Sequence, residues 1–314
     1  MSVTVSKENI KRVKGMGCLQ QKGTDLFNAR VITRNGKITA EEAHRIAEGA
    51  EKFGSSELAM TTRQTIEVQG IPYDKLDDFI AYMAEGGLMV GGAGAKVRPI
   101  VSCKGTTCQY GLYDTYELSE EIHNRFFLGY NDVKFPHKFK IATGGCPNNC
   151  VKPDLNDLGI IGQSKPKFDP EQCKSCKICV VANVCPMEAA TKQEGEKMSF
   201  DAEKCIECGR CVAMVKCPFG AMTEEARGYK VTLGGRWGKK IAQGQEMSKM
   251  VTSKEEVLDI VEKTMLFFRE QGKQGERLSD TIARIGFDKV EKMILADDLL
   301  QRKEEILAKE IQPK

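Results

Sequence analysis

Four cysteines in two pairs are the residues of this chain whose type and spacing most directly indicate metal chemistry. Cys103 and Cys108 lie in VSCKGTTC, and Cys146 and Cys150 lie in TGGCPNNC. The Gly, Pro and Asn around the pairs predict turns that can bring the four thiolates to one centre. Four convergent thiolates hold either a tetrahedral zinc ion or a [4Fe–4S] cluster. The x4 and x3 spacings exclude neither centre, and they favour the iron–sulfur cluster.

Eight further cysteines form an internal repeat, C-x2-C-x2-C-x5-C-P, which starts at Cys173 and again at Cys205. The pattern is close to that of bacterial two-cluster ferredoxins, although x3 is commoner there than x5, and in those the fourth cysteine of each run binds the other cluster. A zinc ribbon would need only one run, so we expect two [4Fe–4S] clusters here. The first would use Cys173, Cys176, Cys179 and Cys217, and the second Cys205, Cys208, Cys211 and Cys185. The flanks KPKFDP and MTEEARG are interpreted as hinges of an insertion.

Around the first four cysteines the sequence resembles the siroheme-containing sulfite and nitrite reductases, and in particular the catalytic, siroheme-binding C component of anaerobic sulfite reductase. The resemblance rests on TTRQ at 61–64, on the two cysteine pairs and on a Lys-x-Lys before the second pair. It implies that all four cysteines bind a [4Fe–4S] cluster and that Cys150 also binds the siroheme iron. The x4 spacing is one residue shorter than the family's common x5, which changes the loop but not the number of ligands.

Four basic residues match the cations that face the active site in this family. They are Arg63 in TTRQ, Arg98 on the strand before Cys103, and Lys138 and Lys140 just before the second pair. Lys138 and Lys140 are two apart on a predicted strand, so their ammonium groups project from one face. From the residues alone they could equally form a solvated edge, and Arg63 could be an ordinary exposed arginine. The resemblance also implies cofactor contacts for Thr62, Gln64 and Arg236, the last in a Gly-Gly-Arg turn.

The elements before residue 90 follow a β-α-β-β-α order, which is typical of a ferredoxin-like half-domain. They are strands at 27–34, 57–62 and 64–70, a helix capped by Thr39 and Glu42 and ending near Gly54, and a helix at 74–87. Residues 1–26 are predicted to be an extended arm, with Cys18 a structural thiol. Further helices are expected at 114–127, where His123 would pack rather than catalyse, and at 254–271.

These features predict an α+β fold with three parts. A ferredoxin-like half-domain would span residues 1–90. A discontinuous siroheme/[4Fe–4S] sulfite-reductase domain would span 91–164 and 227–314. A two-[4Fe–4S] ferredoxin module would be inserted at 165–226.

Composition narrows the class of protein. The 314 residues are 41% hydrophobic and 29% charged, with a formal charge of +3 that gives no reason to expect nucleic acid. The absence of a long apolar run or a signal-peptide pattern predicts a cytoplasmic protein without membrane contact. Thirteen cysteines and three histidines favour cofactor ligands in a reducing, anaerobic setting over disulfides or histidine-ligated haem.

The resemblance implies that the chain reduces sulfite to sulfide, a six-electron reaction whose departing oxygens need positive charge and protons. Electrons would arrive at the ferredoxin module and reach the siroheme through the four-cysteine cluster and Cys150. The alternatives are reduction of nitrite to ammonia with the same cofactors, and a non-catalytic iron–sulfur electron-transfer protein. Electron-donor subunits or a ferredoxin-type donor are expected partners. A homo-oligomer or a complex of several subunits is also expected, because many relatives carry two copies of the domains found once here.

Overall fold

The computed structural model describes residues 5–314. The helices are α1 (Lys7–Gly15), α2 (Ala40–Phe53), α3 (Leu76–Glu85), α4 (Thr115–Ile122), α5 (Val180–Val184), α6 (Lys254–Gln271), α7 (Leu278–Ile285), α8 (Phe287–Leu295), α9 (Asp298–Gln301) and α10 (Lys303–Ala308). The strands are β1 (Cys18–Gln20), β2 (Leu26–Val31), β3 (Leu58–Met60), β4 (Ile66–Pro72), β5 (Val101–Ser102), β6 (Ile141–Gly144), β7 (Leu158–Phe168), β8 (Ala190–Thr191), β9 (Ser199–Phe200), β10 (Met222–Leu233) and β11 (Gln245–Glu246).

Contacts divide the described residues into two compact units. The first unit consists of residues 5–101, 119–141 and 262–314. The second unit consists of residues 102–118 and 142–261. Among residues 5–314 no helix combines the length and the apolar composition needed to cross a membrane.

The first unit contains the predicted half-domain as an antiparallel sheet with the order β1-β2-β4-β3. The β-α-β-β-α order after residue 26 is confirmed, and so is the capping box at the start of α2. There the Thr39 side chain accepts from the Glu42 N–H, and the Glu42 side chain accepts from the Thr39 N–H. Large apolar side chains from both helices and the sheet form one buried core, among them Phe27, Ile46, Val68, Phe79 and Met83.

The prediction of an extended arm at 1–26 is wrong for residues 7–20. Ser6 caps α1 by accepting a hydrogen bond from the Asn9 N–H, and β1 follows the helix and pairs with β2. Val13 is the residue of α1 that is fully buried, so the helix lacks the apolar stripe by which a helix is recognised in a sequence. Cys18 on β1 lies in the apolar core, as expected for a structural thiol. Residues 1–4, which belong to the same prediction, lie outside the described residues.

A second apolar group of the first unit fixes the segment that precedes β6. The rings of Phe135, Phe139 and Phe268 lie with their centroids 6.1–6.3 Å apart, and all three side chains are buried. Phe268 belongs to α6, whose start is capped by Ser253 as predicted, since its Oγ accepts from the Glu256 N–H. Phe139 therefore anchors the residues on either side of it, Lys138 and Lys140.

His123 packs within the first unit, as the sequence predicts. The α4 helix ends at Ile122 and continues as a π-helical turn from His123 to Leu128, and the imidazole stacks on Phe127 with a centroid distance of 5.0 Å. Burial, together with the positive charge of Arg34, lowers the pKa of His123 from 6.5 to about 4. The folded protein therefore binds this proton less readily than the unfolded chain does.

Because the folded pKa is the lower one, we expect His123 to make stability pH-dependent. Its contribution is fully present above about pH 6.5 and is lost as the pH falls toward about 4. His123→Gln should flatten the acid slope of the melting temperature in this range, measured by anaerobic thermal unfolding at several pH values. His44, exposed on α2, gives the control His44→Gln. An unchanged slope in His123→Gln would contradict the prediction.

The second unit is built on a long antiparallel hairpin of β7 and β10, in register from Leu158↔Leu233 to Phe168↔Met222. The hairpin lies in a sheet with the order β11-β10-β7-β6-β5. Residues 169–221, with both cysteine runs, connect the distal ends of its strands. The flanks interpreted as hinges are instead paired strand, with a bulge between Glu224 and Ala226. Pro166 is paired with Glu224 at that bulge, which is one of the few places where a strand tolerates proline.

Candidate functional site

The four cysteines of the two pairs lie close together in the second unit. Burial raises the pKa of Cys146, and the charges of Cys103, Cys150 and Cys108 raise it further, so the other three thiols lie near Cys146. The Gly145 N–H donates to the Cys103 Sγ at 3.1 Å. A side chain at Gly145 would place its Cβ 2.9 Å from the Gly105 Cα and 3.5 Å from the Cys103 Sγ, so glycine is needed where the two loops approach. A donor set of four thiolates with an N–H···S bond fits a [4Fe–4S] cluster.

Cys150 differs from the other three members of this set. Its side chain is exposed, whereas Cys103, Cys108 and Cys146 are half-buried. A thiolate that also binds a second group must be accessible from outside its own loop. The exposure of Cys150 therefore fits the role that the resemblance gives it.

The three cysteines that begin the second run lie near Cys185, the fourth cysteine of the first run. Burial raises the pKa of Cys211 to about 12, and Cys205, Cys208 and Cys185 raise it as well. These four cysteines also line one small apolar cavity, together with Ala190 and Phe200 among others. The structure thus brings together the crossed set Cys205, Cys208, Cys211 and Cys185 that the sequence predicts.

The first run lies on the same small core of the insertion. Cys173, Cys179 and Cys217 pack against the buried side chains of Val181, Ala190, Met198 and Met222. The Met198 N–H donates to the Cys173 Sγ at 3.4 Å. Among residues 5–314, no three or more His, Cys, Asp or Glu side chains are placed to hold a single metal ion. A [4Fe–4S] cluster does not need that arrangement, because each of its four thiolates binds a different iron.

The second run packs directly on the framework that carries the four-cysteine loops. Glu207 accepts a 2.8 Å hydrogen bond from the Ser164 N–H of β7 through its backbone carbonyl. Gly209 has a φ of +70°, and an added Cβ would lie 2.9 Å from the Ser164 Cβ. Arg210 donates to the Asn148 Oδ1 at 3.4 Å and lies 4.5 Å above the Tyr110 ring. Asn148 is between Cys146 and Cys150, so Arg210 links the two cysteine systems.

Sequence reasoning did not single out Arg210 or the acidic cleft beside it. The cleft has a volume of about 420 Å³ and is lined by residues from the Cys146–Cys150 loop, the hairpin and the second run. Asp154, Glu207 and Glu246 contribute carboxylates to it, and Lys230 contributes an ammonium group. Burial raises the pKa of Glu207. The only signal in the sequence was that the second run has Glu207 and Arg210 where the first run has Ser175 and Ile178.

Three of the four predicted cations lie on neighbouring segments of the first unit. The Arg98 N–H donates to the Phe139 carbonyl at 2.8 Å, and Val97 pairs with Phe139 in a parallel bridge. Lys138 and Lys140 flank buried Phe139 and are themselves half-buried, as an extended backbone requires. The regular strand begins only at Ile141, so the predicted strand at 138–140 is a single bridge. The Arg98 Nη1 donates to the Gly92 carbonyl at 2.6 Å.

Arg63 connects the same two segments. Its Nε donates to the Pro99 carbonyl at 3.0 Å, and its Nη2 donates to the Ile141 carbonyl at 3.1 Å. Pro99 and Ile141 adjoin Arg98 and Lys140, so the structure collects all four predicted cations in one part of the first unit. Thr62 and Gln64 lie with Arg63 in the tight turn between β3 and β4, where Gln64 has a φ of +58°. Thr62 is exposed, and the Gln64 side chain packs against Gly36.

Arg236 follows β10 in the second unit. Its N–H and carbonyl pair with Ala242 at 2.7 and 2.9 Å, which closes a short hairpin after Gly234 and Gly235. The Gly235 site is crowded by backbone, because an added Cβ would lie 2.2 Å from the Asp154 carbonyl oxygen. The predicted Gly-Gly-Arg turn is thus present and is fixed against the segment that follows the second cysteine pair.

Comparison with known proteins assigns most of the chain to two family models. The model of the nitrite and sulphite reductase 4Fe-4S domain matches residues 93–302, and that of the nitrite/sulfite reductase ferredoxin-like half domain matches residues 19–86. The chain belongs to the nitrite and sulfite reductase family. Membership in this family implies a siroheme and a [4Fe–4S] cluster, which favours iron–sulfur over zinc at the first four cysteines.

Individual relatives agree with this assignment. The coenzyme F420-dependent sulfite reductase of Methanocaldococcus jannaschii is 37% identical over 279 residues, which cover 88% of this chain and 42% of that protein. The C component of the anaerobic sulfite reductase of Salmonella typhimurium is 32% identical over 153 residues, covering 42% of each protein. The chain thus spans less than half the length of either relative.

A solved structure gives the same result for the fold. The crystal structure of dissimilatory sulfite reductase I superposes with a TM-score of 0.68 at 25% identity, covering 86% of this chain and 69% of that one. The predicted α+β fold, with a half-domain followed by a reductase domain, is therefore confirmed. The resemblance to siroheme sulfite and nitrite reductases is confirmed as well.

Proposed function

We propose that the chain binds one siroheme and three [4Fe–4S] clusters and reduces sulfite to sulfide with six electrons. The observation that carries the proposal is the convergence of Arg63, Arg98, Lys138 and Lys140 on one pair of segments in the first unit. Four basic residues on neighbouring segments favour the approach of an oxyanion, because opposite charges attract.

The four cations have separate tasks in this proposal. Lys138 and Lys140 would bind the anion and donate hydrogen bonds to the oxygens that depart as water, because their ammonium groups supply both charge and protons. Arg98 would add a directional donor. Arg63 would act chiefly by holding the segments of Arg98 and Lys140 through its bonds to Pro99 and Ile141. The bound siroheme supplies the redox-active iron at which sulfite accepts electrons.

The cofactor ligands are a further part of the proposal. Cys103, Cys108, Cys146 and Cys150 would hold one cluster, with exposed Cys150 shared with the siroheme. Thr62, Gln64 and Arg236 would contact the macrocycle. The insertion would hold the other two clusters on the crossed sets described above, which makes it a two-cluster ferredoxin module at 165–226. The contact of the second run with Asn148 supports an electron route from this module to the Cys146–Cys150 loop.

The remaining assignments are also part of the proposal. The half-domain would span residues 1–90 and the siroheme domain 91–164 and 227–314. The chain would work as a homo-oligomer or within a complex of several subunits, and a partner would deliver the electrons. Nitrite is the second candidate substrate, because the matching family model covers both reductases.

Anaerobic turnover with electrode-reduced methyl viologen tests this function. Dithionite is avoided because its oxidation yields sulfite. The proposal predicts stoichiometric sulfide from sulfite and a higher kcat/KM for sulfite than for nitrite. Faster turnover of nitrite at a lower KM would contradict the sulfite assignment and make nitrite the substrate. A protein with about twelve irons, no macrocycle and no turnover of either anion would instead be an electron-transfer protein.

A further inference from the structure

The two cysteine runs share one motif but differ in what covers them. In the second run the residues between the cysteines are packed: Glu207 bonds to Ser164, Gly209 touches the hairpin, and Arg210 lies on Tyr110. In the first run, Ser175 at the position of Glu207 is half-buried, but Lys177 and Ile178 at the positions of Gly209 and Arg210 face solvent. Lys174 and Lys177 are exposed, and Ile178 is 70% exposed. One exposed apolar side chain is ordinary on a protein surface, whereas several together mark an interaction site.

Exposed apolar side chains continue around the first run. Val180 is 41% exposed, and Phe219, two residues after Cys217, is 46% exposed. Cys217 packs on the same core as Cys173 and Cys179, so Phe219 and the neighbouring exposed Lys216 flank the same group of cysteines. We call Lys174, Lys177, Ile178, Val180, Lys216 and Phe219 the first-run surface.

The charge of the first-run surface is positive. Residues 173–187 contain Lys174 and Lys177 and no carboxylate, whereas the equivalent residues of the second run, 205–219, include Glu207. Lys197 and Lys192 also act on Cys173. The first-run surface therefore combines exposed apolar side chains with lysines.

We propose that the first-run surface is the docking site for a small acidic one-electron carrier protein. The inference rests on the proposed function, since it takes the insertion to hold clusters. Charge complementarity selects the partner, because a carrier with carboxylates around its own redox centre is attracted to the lysines. Ile178 and Phe219 would supply the apolar contact once the carrier is bound. Small, weak interfaces are usual for such encounters, so a patch of this size is sufficient. Each encounter oxidises the carrier by one electron and reduces the chain by one electron, with no atom transferred.

The test uses an acidic 2[4Fe–4S] bacterial ferredoxin, reduced at an electrode, as the probe. Stopped-flow mixing with the oxidised full chain gives the second-order rate constant at several salt concentrations. For the native chain we expect this constant to fall as salt rises, because opposite charges attract. Lys174→Glu/Lys177→Glu should lower it by about tenfold or more at low salt and remove or invert the salt dependence.

The matched control is Lys289→Glu/Lys292→Glu, which makes the same change in net charge at two exposed lysines of α8. It should leave the ferredoxin rate close to native. Iron and acid-labile sulfide counts must match native in both variants, so that an effect is not due to lost clusters. Direct reduction by methyl viologen, a small cation that needs no docking, should not fall in either variant.

Three results would overturn the docking proposal. They are equal losses in both double variants, a native rate that is independent of salt, and native self-association that Lys174→Glu/Lys177→Glu abolishes. The last would make the surface a contact between copies of the chain. Viologen-driven sulfite turnover is measured separately and tests the proposed function alone. The docking proposal can therefore be wrong while the proposed function is right, and the proposed function can be wrong while the docking proposal is right.

Discussion

Replacing Cys150 by serine is expected to lower viologen-driven sulfite reduction by more than about a hundredfold, because residues that only orient a metal ligand already cost about 10–100-fold when they are changed. The variant should also lose siroheme absorbance or its coupling to the cluster signal. Cys150 is the exposed member of a set whose other three thiols are half-buried. It is therefore the position at which one thiolate can serve both a cluster and an external iron.

Cys18→Ser is the matched control for loss of a thiol. Cys18 is fully buried in the core of the first unit, and burial raises its pKa to about 12, so it is unsuited to bind a metal as a thiolate. We expect unchanged iron content and turnover, with a loss of stability of about 1–3 kcal/mol from burying a hydroxyl group. If Cys150→Ser kept native turnover and native siroheme bands, the bridging role of Cys150 would be wrong.

Lys138→Met/Lys140→Met is expected to lower kcat/KM for sulfite by about a hundredfold or more, which is the usual cost of removing an aligned donor from a developing charge. Methionine keeps the length and the apolar stem of lysine but removes the charge and the donated hydrogen bonds. Since Phe139 stays buried between the two positions, the segment should remain folded. Steady-state kinetics with sulfite, together with absorption spectra to confirm cofactor content, measure the effect.

Lys134→Met, at an exposed lysine of the same connecting segment, is the control and should retain native kinetics. A selective rise in KM with unchanged kcat would assign the two lysines to binding of the anion alone. A fall in kcat would assign them also to the proton transfers that release water. Native kinetics in the double variant would remove Lys138 and Lys140 from the active site.

The elements with strong local signals were predictable from the sequence. The α2 helix carries a complete capping box and an apolar stripe, and α3 buries Leu76, Phe79 and Met83 at helical spacing. The α1 helix could not be predicted, because it is fixed by a serine cap and by burial of Val13 rather than by periodicity. The distal end of the β7–β10 hairpin was missed for a different reason. Its prolines indicate a break, and only the pairing with the bulged strand makes the one at Pro166 compatible with a sheet.

The site was predictable as far as residue types fix the chemistry. Cysteine spacing indicated the ligand sets, and the family resemblance indicated the four cations. The role of Arg63 as a clamp on Pro99 and Ile141 required the tertiary structure, because its acceptors are backbone carbonyls far away in the sequence. The same holds for Arg210. Its contact with Asn148 joins segments 62 residues apart, and no local pattern encodes such a contact.

A visible absorption spectrum of the anaerobically purified protein, with counts of iron and acid-labile sulfide, tests the central claim most directly. One siroheme and three clusters predict siroheme bands and about thirteen irons per chain. The contradicting result is broad iron–sulfur absorbance alone, with about eight to twelve irons per chain, that gains no siroheme bands when the protein is reconstituted with siroheme. The chain would then be an electron carrier rather than a reductase.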